Sequence, residues 1–529
     1  MKTWISCPKP DLLRRSVLVL AASLSLLWPA HDATAQASRP VAAAAQAADS
    51  DLRVTFAPAV SAAPFSGRIV VMMTPGENKG EPRFGPDWFH PGPMFALDVK
   101  NARPGEPILI SGDGPRVIAF PKPLRQLAPG VYTAQAILDK NQGERDFASA
   151  PGNGYSAPVR VTIGTNGAVL DLSGPLLIDK IVPVRTFGET VRAKEVVLES
   201  RLLTQFYGRP TVMRAAVLLP DGWDADPTRR WPVVYQIPGF GGRHYGAQRM
   251  AERPLLPGEM PMIHVVLDPE AGTGHHVFAD SANNGPRGQA LVSELIPFIE
   301  RTYHGLDKAS ARFVTGHSSG GWSSLWLQVT YPDTFGGVWS TSPDPVDFRD
   351  FQRIDLYAPN ANLFTDAAGK PRPLARVGEQ PVIFYKTFSD METVMGHGGQ
   401  LASFEAVFSP RLPNGSPRPL WNRATGTVDP ATARAWEKYD IRLILERNWK
   451  TLGPQLKSKL HVYTGARDTF YLEGAVEKLK AALATLPGSD AVVEIVPGRD
   501  HGNLRDRAMR ERIAREMADT FRQSNPAAN

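Results

Sequence analysis

The rhythm of apolar positions changes near residue 195, and the change divides the chain. Between about 49 and 165, apolar residues come in short runs parted by Pro- and Gly-rich turns: Leu52-Phe56, Arg68-Met73, Met94-Val99, Pro107-Ile110, Val131-Leu138 and Val159-Ile163. Such intervals, without helical periodicity, predict the strands of a small all-β sandwich. Beyond 195 the runs lengthen and alternate with helical patterns. Val196 to Leu219 reads as paired strands around Phe206-Tyr207-Gly208-Arg209-Pro210. Trp231-Ile237, Ile263-Leu267, Arg312-Thr315, Val338-Ser342, Leu460-Thr464 and Val492-Val496 read as strands of a central sheet. Leu291, Leu295, Phe298 and Ile299 share one helical face, with Pro297 expected to bend the helix. Trp322 to Val329, Glu473 to Leu483 and Leu504 to Phe521 supply further helices. This alternation predicts a doubly wound, mostly parallel sheet covered on both faces.

Residues 343 to about 457 interrupt that rhythm with many Pro, Gly, Trp and Tyr and one expected helix from Ala431 to Trp449. An insertion at the carboxyl end of a parallel sheet lies where ligands bind, so it reads as a cap forming one wall of a pocket. The expected organisation is a signal peptide at 1–35, a leader at 36–48, the sandwich at 49–165, a linker at 166–194 and the α/β domain at 195–525. Within the sandwich, Pro129-Gly130-Val131-Tyr132 is reminiscent of the tyrosine corner of immunoglobulin-like domains.

Composition narrows the setting. Lys2, Lys9, Arg14 and Arg15 precede an apolar run from Val17 to Trp28 and then Ala33-Thr34-Ala35, the layout of a secretory signal cleaved near Gln36. Export to the periplasm or medium is expected, and Arg14-Arg15 loosely resembles a twin-arginine signal. The run is shorter than the ~20 residues a spanning helix needs. The single cysteine, Cys7, would leave with the signal, which excludes disulfides, thiol catalysis and cysteine-ligated zinc. Losing four basic and two acidic groups lowers the formal charge from +6 to +4. Without a basic cluster, that balance excludes nucleic-acid binding as the main function.

Gly316-His317-Ser318-Ser319-Gly320 joins a strand to a helix and reads as a nucleophile elbow, with Ser318 as the candidate nucleophile. The glycines belong there because a strand turning straight into a helix leaves no room for β-carbons. A serine hydroxyl needs a base, and the imidazole a carboxylate. Asp468 follows one strand and His501 the next, in the order Ser, Asp, His. Asp344 and Asp347 are the alternative acids, and His317 is expected to point away from the hydroxyl. The loop Pro238-Gly239-Phe240-Gly241-Gly242 offers an oxyanion donor from Phe240 or, close behind, Gly241; Ser319 offers the second. His276, His397 and Asp280 lie in loops expected to line the pocket. Trp421, Trp436 and Trp449 suit stacking or core equally well. No cofactor is required, and no histidine spacing supports a metal.

Trp231 to Gly242, Glu294-Leu295-Ile296-Pro297, Gly316 to Gly321, Tyr331-Pro332-Asp333-Thr334-Phe335, and Gly465 to Asp468 with His501 together resemble the putative-esterase family of α/β-hydrolases. That group includes enterochelin, feruloyl and acetyl-xylan esterases, formylglutathione hydrolases and mycolyltransferases. The resemblance spans roughly 195 to 520, outside much of the cap. It implies a serine hydrolase acting on carboxylic esters of small molecules or carbohydrates, with Ser318, His501 and Asp468 as nucleophile, base and acid. Pro238-Gly239 stands where many members carry His-Gly, and the cap is longer than usual, so no member's substrate carries over. Transfer of the acyl group to a sugar, and a non-catalytic binding protein on the same scaffold, are the competing expectations.

Overall fold

The computed structural model describes residues 51–251 and 253–526; the predicted signal, the leader and Cys7 lie outside the described residues. Two large sheets organise one compact unit. Among the described residues no helix is long and apolar enough to cross a membrane.

The first sheet has ten strands. The six expected runs all form strands, and Ile118–Phe120, Gly154–Ser156, Val169–Leu172 and Leu176–Ile181 join them. The last two correct the expected 166–194 linker, since Leu176–Ile181 pairs in parallel with Leu52–Phe56. These added strands are only three to six residues long, too short to display a period of two. Phe56 and Phe65 sit on strands well apart in the sheet yet their rings meet edge to face at 6.4 Å, so the sheet folds over a shared core. Tyr132 closes its corner as expected, its hydroxyl donating to the Ala128 carbonyl at 2.8 Å.

The central strands of this sheet are buried on both faces. Ile69, Val71, Met73, Phe95 and Leu97 enter the sheet's own core, whereas Val70, Met72, Met94, Ala96 and Ile137 join the core of the α/β part. That double burial explains why Arg68 to Met73 reads as an unbroken apolar run. At about 1.5–3 kcal/mol per fully buried large side chain, the second face fixes the β-rich part as a wall of the α/β part.

The second sheet has eight strands: β1 (Ala193–Glu199), β2 (Val212–Leu218), β3 (Val233–Ile237), β4 (Ile263–Leu267), β5 (Arg312–His317), β6 (Gly337–Thr341), β7 (Leu460–Gly465) and β8 (Val492–Val496). Their order is β1-β2-β4-β3-β5-β6-β7-β8. β2 runs antiparallel to its neighbours, and β3 to β8 are all parallel. This is the α/β-hydrolase sheet, and it brings the ends of β3, β5, β6, β7 and β8 to one edge. A short helix, Arg201–Tyr207, links β1 to β2 within the stretch expected as paired strands; Ser200 caps it by accepting the Leu203 N–H at 3.1 Å. Leu291–Leu295 is a π-helical turn, the Leu291 carbonyl accepting the Ile296 N–H, and Pro297 sits in the first turn of the α-helix Ile296–Thr302 that follows.

Helix α1 (Ser319–Thr330) follows β5. The insertion after β6 is a hairpin, Pro373–Val377 with Gln380–Phe384, followed by helices α2 (Tyr385–Met395) and α3 (Gln400–Phe408). The expected Ala431 to Trp449 helix is two helices, Pro430–Trp436 and Ile441–Gln455. Buried Asp440 makes the break: its carboxylate accepts the N–H groups of Leu443 at 3.1 Å and Phe348 at 2.9 Å, which caps a new helix. α4 (Arg507–Ser524) completes the α/β part, its N-terminus capped by Asp506.

Candidate active site

Ser318 lies between β5 and α1 with φ 60° and ψ −127°, a conformation that costs a non-glycine residue strain. The flanking glycines make it possible. A β-carbon on Gly316 would stand 1.9 Å from the Gly320 carbonyl oxygen, and one on Gly320 would stand 2.0 Å from the Ile237 carbonyl oxygen. The backbone is held by Ser318 N–H to Thr341 O at 3.1 Å and by Trp322 N–H to Ser318 O at 3.0 Å. The side chain is half-buried and lines a cavity of about 520 Å³ that His501 also lines. Its hydroxyl forms no hydrogen bond among the described residues.

His501 Nδ1 lies 2.8 Å from Asp468 Oδ2. A carboxylate accepts, so Nδ1 carries a proton, and in the neutral imidazole Nε2 holds the lone pair. Asp468 is fully buried, and its other oxygen accepts the Phe470 N–H at 2.9 Å. Burial alone would lower the His501 pKa, but the charge and hydrogen bond of Asp468, aided by Asp344 and Asp500, hold it above the usual imidazole value. Phe470 meets the imidazole edge to face at 4.9 Å.

The alternative acids are engaged elsewhere. Asp344 accepts the Ser319 hydroxyl at 2.6 Å, and burial pushes its pKa up to about 6. Asp347 is buried against Arg349 and Arg442. His317 does more than pack: it lines the cavity, and its ring sits 4.5 Å from that of His501. Burial, then repulsion from His501 and Arg505, depresses its pKa well below normal.

The loop after β3 touches the elbow, a β-carbon on Gly239 standing 3.2 Å from Ser318 Cβ. Phe240 lines the Ser318 cavity, and its N–H donates to no backbone acceptor among the described residues. Ser319 is the first residue of α1, so its N–H has no intrahelical acceptor. Gly241, the other expected donor, stands at φ 80° and lines not the Ser318 cavity but a separate one with Arg145 and Arg185. His275 braces this loop. Its Nδ1 accepts the Val277 N–H at 3.1 Å, so Nε2 donates to the Pro238 carbonyl at 2.9 Å, and burial lowers its pKa to about 4. No motif marks that role; the adjacent histidine pair was the one visible hint.

Three expected pocket residues also move elsewhere. His276 is buried outside the Ser318 cavity, its Nδ1 accepting the Phe278 N–H at 3.1 Å. His397 donates from Nε2 to the Glu144 carbonyl at 3.1 Å, which ties the cap to the β-rich part. Asp280 accepts the Gly288 and Gln289 N–H groups at 2.8 and 3.0 Å and the Tyr331 hydroxyl at 2.8 Å, so it starts a helix. Trp436 and Trp421 are core, and Trp449 donates to the Pro487 carbonyl.

The aromatic wall comes instead from Trp88, Phe240, Phe388, Phe404 and Phe470. Trp88 belongs to the β-rich part, and its ring lies 4.9 Å from Phe388, 5.8 Å from Phe240 and 6.4 Å from Phe470. Arg145, from the same part, covers the Phe240 ring at 4.5 Å. The expected cap wall is present in Leu374, Phe388, Gln400, Leu401 and Phe404.

The family described as "Putative esterase" matches residues 210–483. Among solved structures, the chain is similar to a ferulic acid esterase at 14% identity, over 63% of this chain and 100% of that one, with a TM-score of 0.38. It is similar to an S-formylglutathione hydrolase from Agrobacterium tumefaciens at 15% identity, over 64% and 96%, with a TM-score of 0.36. It is also similar to a fluorophosphonate-binding serine hydrolase from Staphylococcus aureus at 12% identity, over 62% and 98%, with a TM-score of 0.34.

Proposed function

The chain belongs to the putative-esterase family and is a carboxylic ester hydrolase, and from that premise we propose that it works through an acyl-serine intermediate on Ser318. One observation carries the reading: a half-buried serine on a strained elbow shares a cavity with an imidazole whose Nδ1 is bonded to a buried carboxylate. Ser318 Oγ attacks the ester carbonyl while His501 Nε2 takes its proton, and Asp468 stabilises the resulting imidazolium. The oxyanion is received by the N–H groups of Ser319 and Phe240, each contributing on the order of 3 kcal/mol. His501 then protonates the departing alcohol. Water then gives a proton to His501 as its oxygen bonds to the acyl carbon, the bond from that carbon to Ser318 Oγ breaks, and His501 returns the proton to Oγ, releasing the acid and the free serine.

A fluorophosphonate probe tests this. The wild-type protein should be labelled on Ser318 and hydrolyse 4-nitrophenyl acetate, and Ser318→Ala should do neither. Full hydrolysis by the alanine variant would refute the assignment. We also propose that the protein is exported, on the strength of its N-terminal charge and apolar pattern. Amino-terminal sequencing of protein recovered outside the cytoplasm should then begin near Gln36, and an intact Met1 would count against it.

A further inference from the structure

Beside the aromatic wall, the Ser318 cavity carries positive charge. Arg505, four residues past His501, lines it together with Arg510 of α4. Arginines around them are paired: Arg499 with Asp506 at 2.5 Å, Arg507 with Glu511 at 2.7 Å, and Arg512 with Glu494 at 2.7 Å and Glu516 at 2.8 Å. The two that face the cavity have no carboxylate partner among the described residues. Arg510 gives one N–H to the Arg505 carbonyl at 2.8 Å, which holds the pair side by side. Burial and the Arg510 charge pull the Arg505 pKa below its usual value. Arg510 is exposed but Arg505 is half-buried, so leaving the Arg505 guanidinium without a carboxylate beside a second positive charge costs free energy that a bound anion would offset.

Neither Asp344, the acid that lines the cavity, nor Asp468 behind His501 supplies that anion. Asp344 is held by the Ser319 hydroxyl at 2.6 Å and by the Gln400 amide at 3.4 Å, on the cap side. Asp468 is committed to His501. Arg505 is nonetheless close to the chemistry, because its charge is one of those that depress His317.

We propose that Arg505, with Arg510 beside it, forms an anion subsite in the Ser318 cavity, so that the preferred substrates are esters bearing a carboxylate, sulfate or sulfonate on the acyl or the alcohol part. Planar guanidinium groups favour such oxygens through paired, charge-assisted hydrogen bonds. The proposal rests on the Ser318 reading above, and the test separates the two.

The experiment compares kcat/KM for matched esters. The acyl arm sets mono-4-nitrophenyl glutarate against 4-nitrophenyl pentanoate. The alcohol arm sets 4-acetoxybenzenesulfonate against 4-acetoxybenzenesulfonamide. In at least one arm the anionic ester should be favoured by about tenfold or more at low ionic strength, and the arm tells which side of the ester carries the charge. That ratio should fall toward one in Arg505→Gln, fall less in Arg510→Gln, and shrink in the wild type as salt rises. Because both esters of a pair meet the same His501, the ratio is insensitive to any change in the base itself. A wild-type ratio at or below one in both arms overturns the subsite, as does a ratio unchanged in Arg505→Gln or, should that variant not fold, a wild-type ratio that ignores salt. If neither member of a pair is hydrolysed and Ser318 takes no fluorophosphonate label, the Ser318 reading has failed and the subsite falls with it. Neutral esters hydrolysed without anionic preference sink the subsite alone.

Discussion

The rim of the α/β sheet and the wall of its cavity are built in different ways. At the rim, Ser318, Asp468 and His501 each follow a parallel strand within a few residues, so the sheet's register sets their separation. The wall collects Trp88 from the β-rich part, Phe240 from the loop after β3, Phe388 and Phe404 from the cap, and Arg505 from the approach to the last helix. Rim positions answer to backbone geometry, and wall positions to packing between segments hundreds of residues apart. The difference teaches that chemistry and selectivity can fail separately here: substitutions at the rim should abolish turnover for every ester, and those in the wall should redistribute turnover among esters.

Ser318→Ala breaks the rim most completely. Turnover of 4-nitrophenyl acetate should drop by about 10⁴-fold or more, with the circular dichroism spectrum unchanged, because the hydroxyl contributes no packing that a methyl lacks. Asp468→Asn comes next, at about 10³–10⁴-fold in kcat. It also carries a pH signature. His501 must be neutral to act as base, so the rate falls as pH drops through its pKa, which Asp468 holds above the usual imidazole value. Removing that charge lets burial prevail, lowers the pKa and moves the acid limb of the pH–rate profile to lower pH. A limb that stays fixed would mean that another group controls it.

The rim was legible in the sequence and the wall was not, for a physical reason. Gly316 is forced by a clash within the elbow and Gly320 by the close approach of the neighbouring strand at Ile237, a pattern the pentapeptide displays, and strand exits can be counted along an apolar rhythm, so Ser318, Asp468 and His501 could be named together. The oxyanion loop was half legible: its glycine-rich run marks a turn, but that Phe240 lines the Ser318 cavity and Gly241 a separate one depends on the loop's backbone path, which composition does not encode. His276, His397 and Asp280 looked like pocket residues because they sit in loops after strands. The structure spends them on satisfying backbone N–H groups, starting a helix and joining the cap to the β-rich part. Trp88 had no local signal at all. It lies between two strands whose double burial, by Val70, Met72, Met94 and Ala96, is the feature that brings its loop to the cavity.

His275 links rim and wall and should show an intermediate effect. His275→Ala removes the donor to the Pro238 carbonyl and frees the loop that presents Phe240. If the Phe240 N–H stabilises the oxyanion, kcat should fall about tenfold, since a loosened donor loses part of its ~3 kcal/mol, and KM should change little. Fluorophosphonate labelling of Ser318 should persist at a reduced rate. A raised KM with unchanged kcat would instead place His275 in substrate binding.

Trp88→Ala gives the smallest effect and the sharpest test of the wall. The indole is half-buried and contacts three aromatic rings from three segments of the α/β part. Each such contact contributes about 0.5–1.5 kcal/mol beyond burial, and some of that stabilises the free protein rather than the complex. A bulky aryl ester should therefore show KM raised by roughly five- to tenfold with kcat nearly constant, because the ring binds ground and transition states alike. A small ester such as methyl acetate, which leaves the aromatic wall empty, should be turned over as before. The alternative is that Trp88 only fastens the β-rich part to the cap. In that case Trp88→Ala would lower Tm by a few degrees and leave both esters' KM untouched, while Trp88→Phe, which keeps an apolar ring at the junction, would restore Tm. A rise in KM confined to the aryl ester makes the β-rich part a component of the substrate pocket. Its absence leaves selectivity to the cap and Arg505.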